Sequence, residues 1–149
     1  MKHQQIEQSA PPVFINWIHK IILICSITIY IVSCFMPCLL TRTEKIYGFL
    51  CLLVGEITFI TDIWLFLIWC SNMIYFYVVI CYFRNKEVHF FLPTISLAMA
   101  ISMLFHNYID YDIRVPIIKY LLGYYLWTAS YVLILVLCIL KFMGKTNRL

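Results

Sequence analysis

The sequence predicts an all-α fold, an integral membrane four-helix bundle with one further helix that is interfacial or re-entrant. Three observations lead there. The first is composition: 64% of residues are hydrophobic and 12% charged, with a mean hydropathy of +0.91, where an average soluble domain carries roughly 25% charge. A soluble fold of this size leaves much of its surface in water and could not hide so much apolar area. The second is the run Trp64 to Phe83, WLFLIWCSNMIYFYVVICYF, twenty residues without a charge. At about 1.5 Å per residue it matches the roughly 30 Å hydrocarbon core of a bilayer. The third is the set of cations flanking the apolar runs, with Arg84 and Lys86 directly after this one, as expected of cytoplasmic ends.

The elements follow in order, within one transmembrane domain over residues 1–149. Residues 1–16 are polar, turn at Pro11-Pro12 and read as a flexible cytoplasmic tail. No small-residue cleavage site follows the first apolar run, so that run is expected to be retained. Trp17, His19 and Lys20 anchor it at the interface, and span one covers about 21–40, with Pro37 near its far end. A short polar break, 41–45, leads to an ambiguous stretch at about 46–62 that carries Glu56 and Asp62. Gly48, Cys51, Gly55, Thr58 and Asp62 recur there at helical spacing, placing small and polar groups on one stripe. An interfacial or re-entrant helix fits better than a fifth span, because Glu56 at mid-membrane costs about 3 kcal/mol.

Span two, 64–83, carries Asn72 at its centre, an amide that seeks a partner helix in lipid. Span three, 88–105, has Thr94, Ala98 and Ser102 at i, i+4, i+8, a small-residue face expected to meet another span. The longest polar connection, 106–119, holds His106, Asp110, Asp112 and Arg114. Span four, 120–142, opens on Tyr120, Tyr124, Tyr125 and Trp127 and closes among Lys141, Lys145 and Arg148. With both termini inside, seven cations (Lys2, Lys20, Arg84, Lys86, Lys141, Lys145, Arg148) face four outside (Arg42, Lys45, Arg114, Lys119). That satisfies the positive-inside rule and places the protein in the inner membrane as a multi-pass chain.

No phosphate loop, nucleophile elbow or zincin motif occurs. The net charge of +4 is topological rather than a nucleic-acid footprint, since no basic patch interleaves with aromatics. No cofactor is expected. Cys34 and Cys38, with Cys51 nearby, are the sharpest enzymatic option, a thiol pair at the outer face; on a regular helix, however, residues four apart are poorly aimed for a disulfide. A metal could draw on His106, Asp110 and Asp112, but with one histidine the set is thin. Ion or proton movement would need Glu56 and Asp62. The polar groups expected at the outer rim are therefore Glu56, Asp62, His106, Asp110 and Asp112, and the helix-packing groups Gly48, Gly55, Asn72, Thr94, Ala98 and Ser102.

Pro37-Cys38, Tyr47-Gly48, Gly55, the W-x-x-N of Trp69 to Asn72, and the stretch from Gly123 through Trp127 to Ser130 together resemble a set of small, uncharacterised bacterial membrane proteins with four spans. Met73 stands where that set usually has proline. The resemblance implies the fold and no activity. The layout also matches, by architecture alone, immunity proteins that neutralise pore-forming bacteriocins through helix recognition. The expected function is helix–helix binding to a membrane partner or to a second copy, as an accessory subunit or an immunity-like protein. The alternative is a membrane enzyme or transporter with its polar site at the outer rim.

Overall fold

The computed structural model describes residues 12–42, 44–86, 88–110 and 114–146. In order, the chain forms α1 (Pro12–Phe35), β1 (Pro37–Thr41), β2 (Lys45–Tyr47), α2 (Gly48–Val54), α3 (Thr58–Thr61), α4 (Ile63–Phe83), α5 (Phe91–Ser102), a 3-10 turn (Met103–Phe105), β3 (Tyr108–Asp110), β4 (Arg114–Tyr120) and α6 (Leu122–Thr146). Three helices are long and apolar enough to cross a membrane, over Trp17–Phe35, Ile63–Phe83 and Leu122–Gly144. Phe91–Phe105 is equally apolar but shorter.

Local chemistry sets the helix ends. α1 stops because Met36 precedes Pro37, and proline disfavours helical backbone at the residue before it. α4 starts at Asp62, whose carboxylate accepts from the Trp64 N–H at 2.9 Å and the Leu65 N–H at 3.2 Å, satisfying donors that the first turn leaves open. It ends at Asn85, with φ 53°, where the Lys86 and Asn85 N–H groups donate to the Cys81 and Tyr82 carbonyls. That is the Schellman arrangement, and asparagine tolerates its left-handed position.

The all-α expectation is corrected by a four-stranded antiparallel sheet of order β2-β1-β4-β3. Leu39 pairs with Tyr120 and Leu40 with Lys119, so the first connection is zipped to the last. The Leu121 N–H extends the zipper to the Cys38 carbonyl at 2.7 Å. Residues 37–40, expected to be helical, form β1, and Tyr120, expected to open the last span, closes β4. Span three is shorter than the expected 88–105: the α-helix begins at Phe91. The stretch at 46–62 is not one helix but β2 followed by α2 and α3, of seven and four residues, neither long enough to cross a bilayer. Of the tail expected over 1–16, residues 1–11 lie outside the described residues, and α1 already runs from Pro12.

Two cores stack along the helices. One is built from Leu23, Tyr30, Tyr75, Val78, Tyr131 and Ile134. The other lies beneath the sheet, around Leu39, Ile46, Leu65, Ile68, Met103 and Ile109. Trp127 packs against both.

Serines, rather than the expected small-residue stripe, mark where helices meet closely. Ser26 on α1 donates to the Ser130 carbonyl of α6 at 2.8 Å, and Ser96 on α5 to the Ser71 carbonyl of α4 at 3.0 Å. A serine brings two backbones together and satisfies its own hydroxyl on the neighbour. The core-facing side of α5 is therefore Pro93, Ser96 and Ala100, all buried. Thr94 and Ala98 are exposed and Ser102 is half-buried, which corrects the expectation that they form the packed face. The reason is hydrogen bonding: Ser96 finds an acceptor across the interface, whereas the Thr94 hydroxyl is already spent on the Phe90 carbonyl of its own helix at 2.8 Å.

Candidate functional site

The polar centre of the helical layer is Asn72. Its Oδ1 accepts from the Tyr30 hydroxyl at 2.8 Å, the Tyr131 hydroxyl at 2.9 Å and the Trp127 Nε1–H at 3.0 Å. Its amide NH2 donates to the Trp69 carbonyl at 3.0 Å. One side chain thus ties α1, α4 and α6 together. A second chain of bonds runs beside it: Ser26 Oγ spends its proton on the Ser130 carbonyl, so the Tyr75 hydroxyl is the donor in the 2.9 Å Tyr75–Ser26 bond. The rings of Tyr30 and Tyr75 stack at 4.6 Å and 12°. These partners come from distant spans, and tyrosine within apolar runs was the one signal in the sequence that could have indicated them: a buried phenol needs an acceptor.

Between this knot and the sheet lies a cavity of about 100 Å³. Asn72 and Trp127 form its floor, Cys38, Leu39 and Ile109 its roof, and Cys51, Leu52 and Gly55 of the α2 segment one wall. Two glycines let that wall approach. A Cβ at Gly48 would sit 2.5 Å from the Ser33 carbonyl oxygen and 3.1 Å from the Cys38 Sγ, and one at Gly55 would overlap the Trp69 ring. Trp69 then donates from Nε1 to the Leu52 carbonyl at 2.8 Å, fastening α2 to α4. Gly48 and Gly55 therefore serve contacts within the chain, and Asn72 joins helices of the same chain.

The cysteines differ from the arrangement weighed from sequence. Cys34 lies on α1, but Cys38 lies beyond the helix end on β1, so the pair does not share a regular helix. Cys34, Cys38 and Cys51 all line the cavity and all are free thiols. Burial pushes the Cys38 thiol up to about 12, with Cys51 and Cys34 adding to it. Reactive cysteines are the opposite, with thiolates stabilised by nearby positive charge.

At the sheet end, Asp62 and His106 meet: Asp62 Oδ2 accepts from His106 Nε2 at 3.0 Å, each side chain 11% exposed. Burial alone would raise the Asp62 carboxyl, but the His106 bond and the Leu65 and Trp64 N–H groups outweigh it and hold the carboxyl below its ordinary value. The Tyr120 hydroxyl reaches the Met103 and His106 carbonyls at 2.5 and 2.7 Å, and burial pushes it up to about 12. Of the five residues expected at the rim, the structure brings these two together. Glu56 is exposed on the turn between α2 and α3 and forms no ion pair among the described residues. Asp110 is a β3 residue whose backbone pairs with Arg114, and Asp112 lies outside the described residues. No group of three or more His, Cys, Asp or Glu among the described residues is placed to hold a metal. The capping role of Asp62 was not read from the sequence, although an aspartate directly before an apolar run is a helix-start signal.

No family model, no curated protein and no solved structure matches the chain. What defines its class is the architecture itself: a mostly helical chain with three helices able to cross a membrane and a small sheet joining two of its connections.

Proposed function

We propose that the chain is a four-pass inner-membrane protein, with both termini cytoplasmic and the sheet on the outer side, that works by recognising a helix of a membrane partner or of a second copy. Phe91–Phe105 is the fourth crossing in this reading, a short one served by local thinning of the bilayer. The charge distribution supports the orientation. Lys141 Nζ donates to the Lys86 carbonyl at 3.3 Å, so the cations after α4 and near the end of α6 gather opposite the sheet, as the positive-inside rule asks. The α2–α3 segment is re-entrant here: Gly48 bonds the Met36 carbonyl at the sheet end, Gly55 touches Trp69 deeper along α4, and Asp62 returns to His106.

The observation that carries the recognition role is the outward side of α5. Ala98 and Ser102 line a groove with Trp64, Leu67, Ile68 and Met99 of the α4–α5 pair, and none of the described residues covers it. Small residues beside such a groove allow a foreign backbone to come close. Ala98→Phe fills the groove from an exposed position. Native electrophoresis and affinity purification from membranes should show the variant inserted but without its partner or its second copy, while Val136→Phe on α6 keeps both. Unchanged assembly in Ala98→Phe rules this surface out.

A second reading places chemistry at the outer rim. The Asp62–His106 pair at the sheet end favours it, since a carboxylate-oriented imidazole can move a proton. Loss of a cellular phenotype in His106→Gln, with insertion and assembly normal, would select that reading.

A further inference from the structure

We propose that the cavity beneath the sheet holds the terminal segment of a membrane-lipid acyl chain. The wall of the cavity offers little to a polar guest. Ser33, Thr58 and Asn72 reach it, yet their hydrogen bonds are all made inside the protein: Ser33 donates to the Tyr30 carbonyl, Thr58 to the Gly55 carbonyl, and Asn72 is engaged at both ends of its amide. No buried side-chain nitrogen or oxygen among the described residues lacks a partner. A water molecule needs two to four polar partners to stay, and the hydroxyl and amide protons of these side chains are already spent. The remaining surface is leucine, isoleucine, methionine, tryptophan, glycine, thiol and the ring of Tyr124, whose hydroxyl donates to the Ala100 carbonyl at 3.0 Å. The occupant this wall selects is a hydrocarbon.

Size and depth narrow it further. A cavity of roughly 150 Å³ holds benzene, so on that scale about 100 Å³ takes a segment of about four carbons, the end of a chain and not a whole lipid. Asn72, at the floor, is the tenth residue of α4, about 15 Å from the helix start. That is the middle of a bilayer about 30 Å thick, where lipid chains end. The wall on the α2 side is half-buried at Cys51, Leu52 and Gly55, and it faces the lipid in the re-entrant arrangement. A chain from the sheet-side leaflet enters there and lies against Trp69. The inference rests on the membrane placement proposed above and not on the helix partner.

The test is photolabelling of the full chain in phosphatidylcholine bilayers with a trace of phosphatidylcholine carrying a diazirine near the end of one acyl chain. Labelled residues are mapped by mass spectrometry. Leu39, Leu65 and Met103, each at most 8% exposed, should be labelled together with exposed Met73 and Phe76 at the middle of α4. Filling the cavity by Cys51→Phe, or independently by Met103→Phe, should cut labelling of Leu39 and Leu65 at least fivefold and leave Met73 and Phe76 unchanged. Labelling confined to exposed residues overturns the proposal, and so does labelling of Leu39 and Leu65 that persists in both filled variants. Labelling of the cavity by a photoreactive prenyl alcohol but not by the phospholipid overturns the acyl-chain source. A protein labelled nowhere overturns the membrane placement itself, which separates that failure from the others.

Discussion

The hydroxyl of Tyr30 donates to the Oδ1 of Asn72 at 2.8 Å across the α1–α4 interface. Tyr131 and Trp127 of α6 converge on the same oxygen, so one amide decides how three helices sit together. Its removal strands three donors at once.

Asn72→Leu is therefore expected to destabilise the protein by about 2 kcal/mol, taking three interhelical bonds at roughly 0.6 kcal/mol each. Unfolding in graded sodium dodecyl sulfate should show it. Tyr30→Phe removes one donor and leaves the acceptor served, so its cost should be less than half as large. Equal losses in the two variants would remove Asn72 from the centre of the knot.

Gly55→Ala places a methyl group into the ring of Trp69, and overpacking of this kind costs typically 1–3 kcal/mol. The effect should depend in part on Trp69: in a double-mutant cycle, Gly55→Ala should cost clearly less in a Trp69→Ala background, the 2.7 Å approach to the Cys51 carbonyl remaining. Additive losses would show that the two residues are not in contact.

Asp62 both caps α4 and pairs with His106. Asp62→Ala loses cap and pair, while Asp62→Asn keeps a good cap, so the alanine variant should be about 1 kcal/mol the less stable of the two. The pH dependence follows from the lowered carboxyl of Asp62. A carboxyl lowered by folding contributes stability that is fully present above its unfolded value, near the ordinary 3.8, and is lost as pH falls through the lower folded value. The stability gap between the wild type and Asp62→Asn should close below about pH 3.8. A gap that persists to pH 2 would contradict the pairing.

Cys38, pushed up to about 12 by burial, should be protonated and nearly inert to iodoacetamide at pH 7 in the folded protein. Unfolding in detergent should release its reactivity by at least tenfold. Rapid alkylation of Cys38 in the folded state at neutral pH would reopen thiol chemistry at this face.

How much was legible beforehand depended on the range of the interaction that decides each feature. Trp64 to Phe83 reads directly as a crossing helix because run length and hydrocarbon thickness are compared residue by residue. Asn72 stands out in the sequence as a polar group in that run, whereas Asp62 reads there as part of the 46–62 stripe and shows its capping role only in the structure. The outward-facing Thr94 and Ala98 mislead because an i, i+4 stripe states which residues share a face and not which way the face turns; the reach of Ser96 to the Ser71 carbonyl turned it.

The sequence by itself determined the apolar helices and the sign of the charges flanking them, since run length, hydropathy and charge are properties of consecutive residues. Tertiary structure alone decided the sheet, the cavity and the partners of Asn72. Leu39 meets Tyr120 and Tyr30 meets Asn72 only after the chain has closed on itself, and a pairing energy that depends on distant residues leaves no periodic trace in either of the segments it joins.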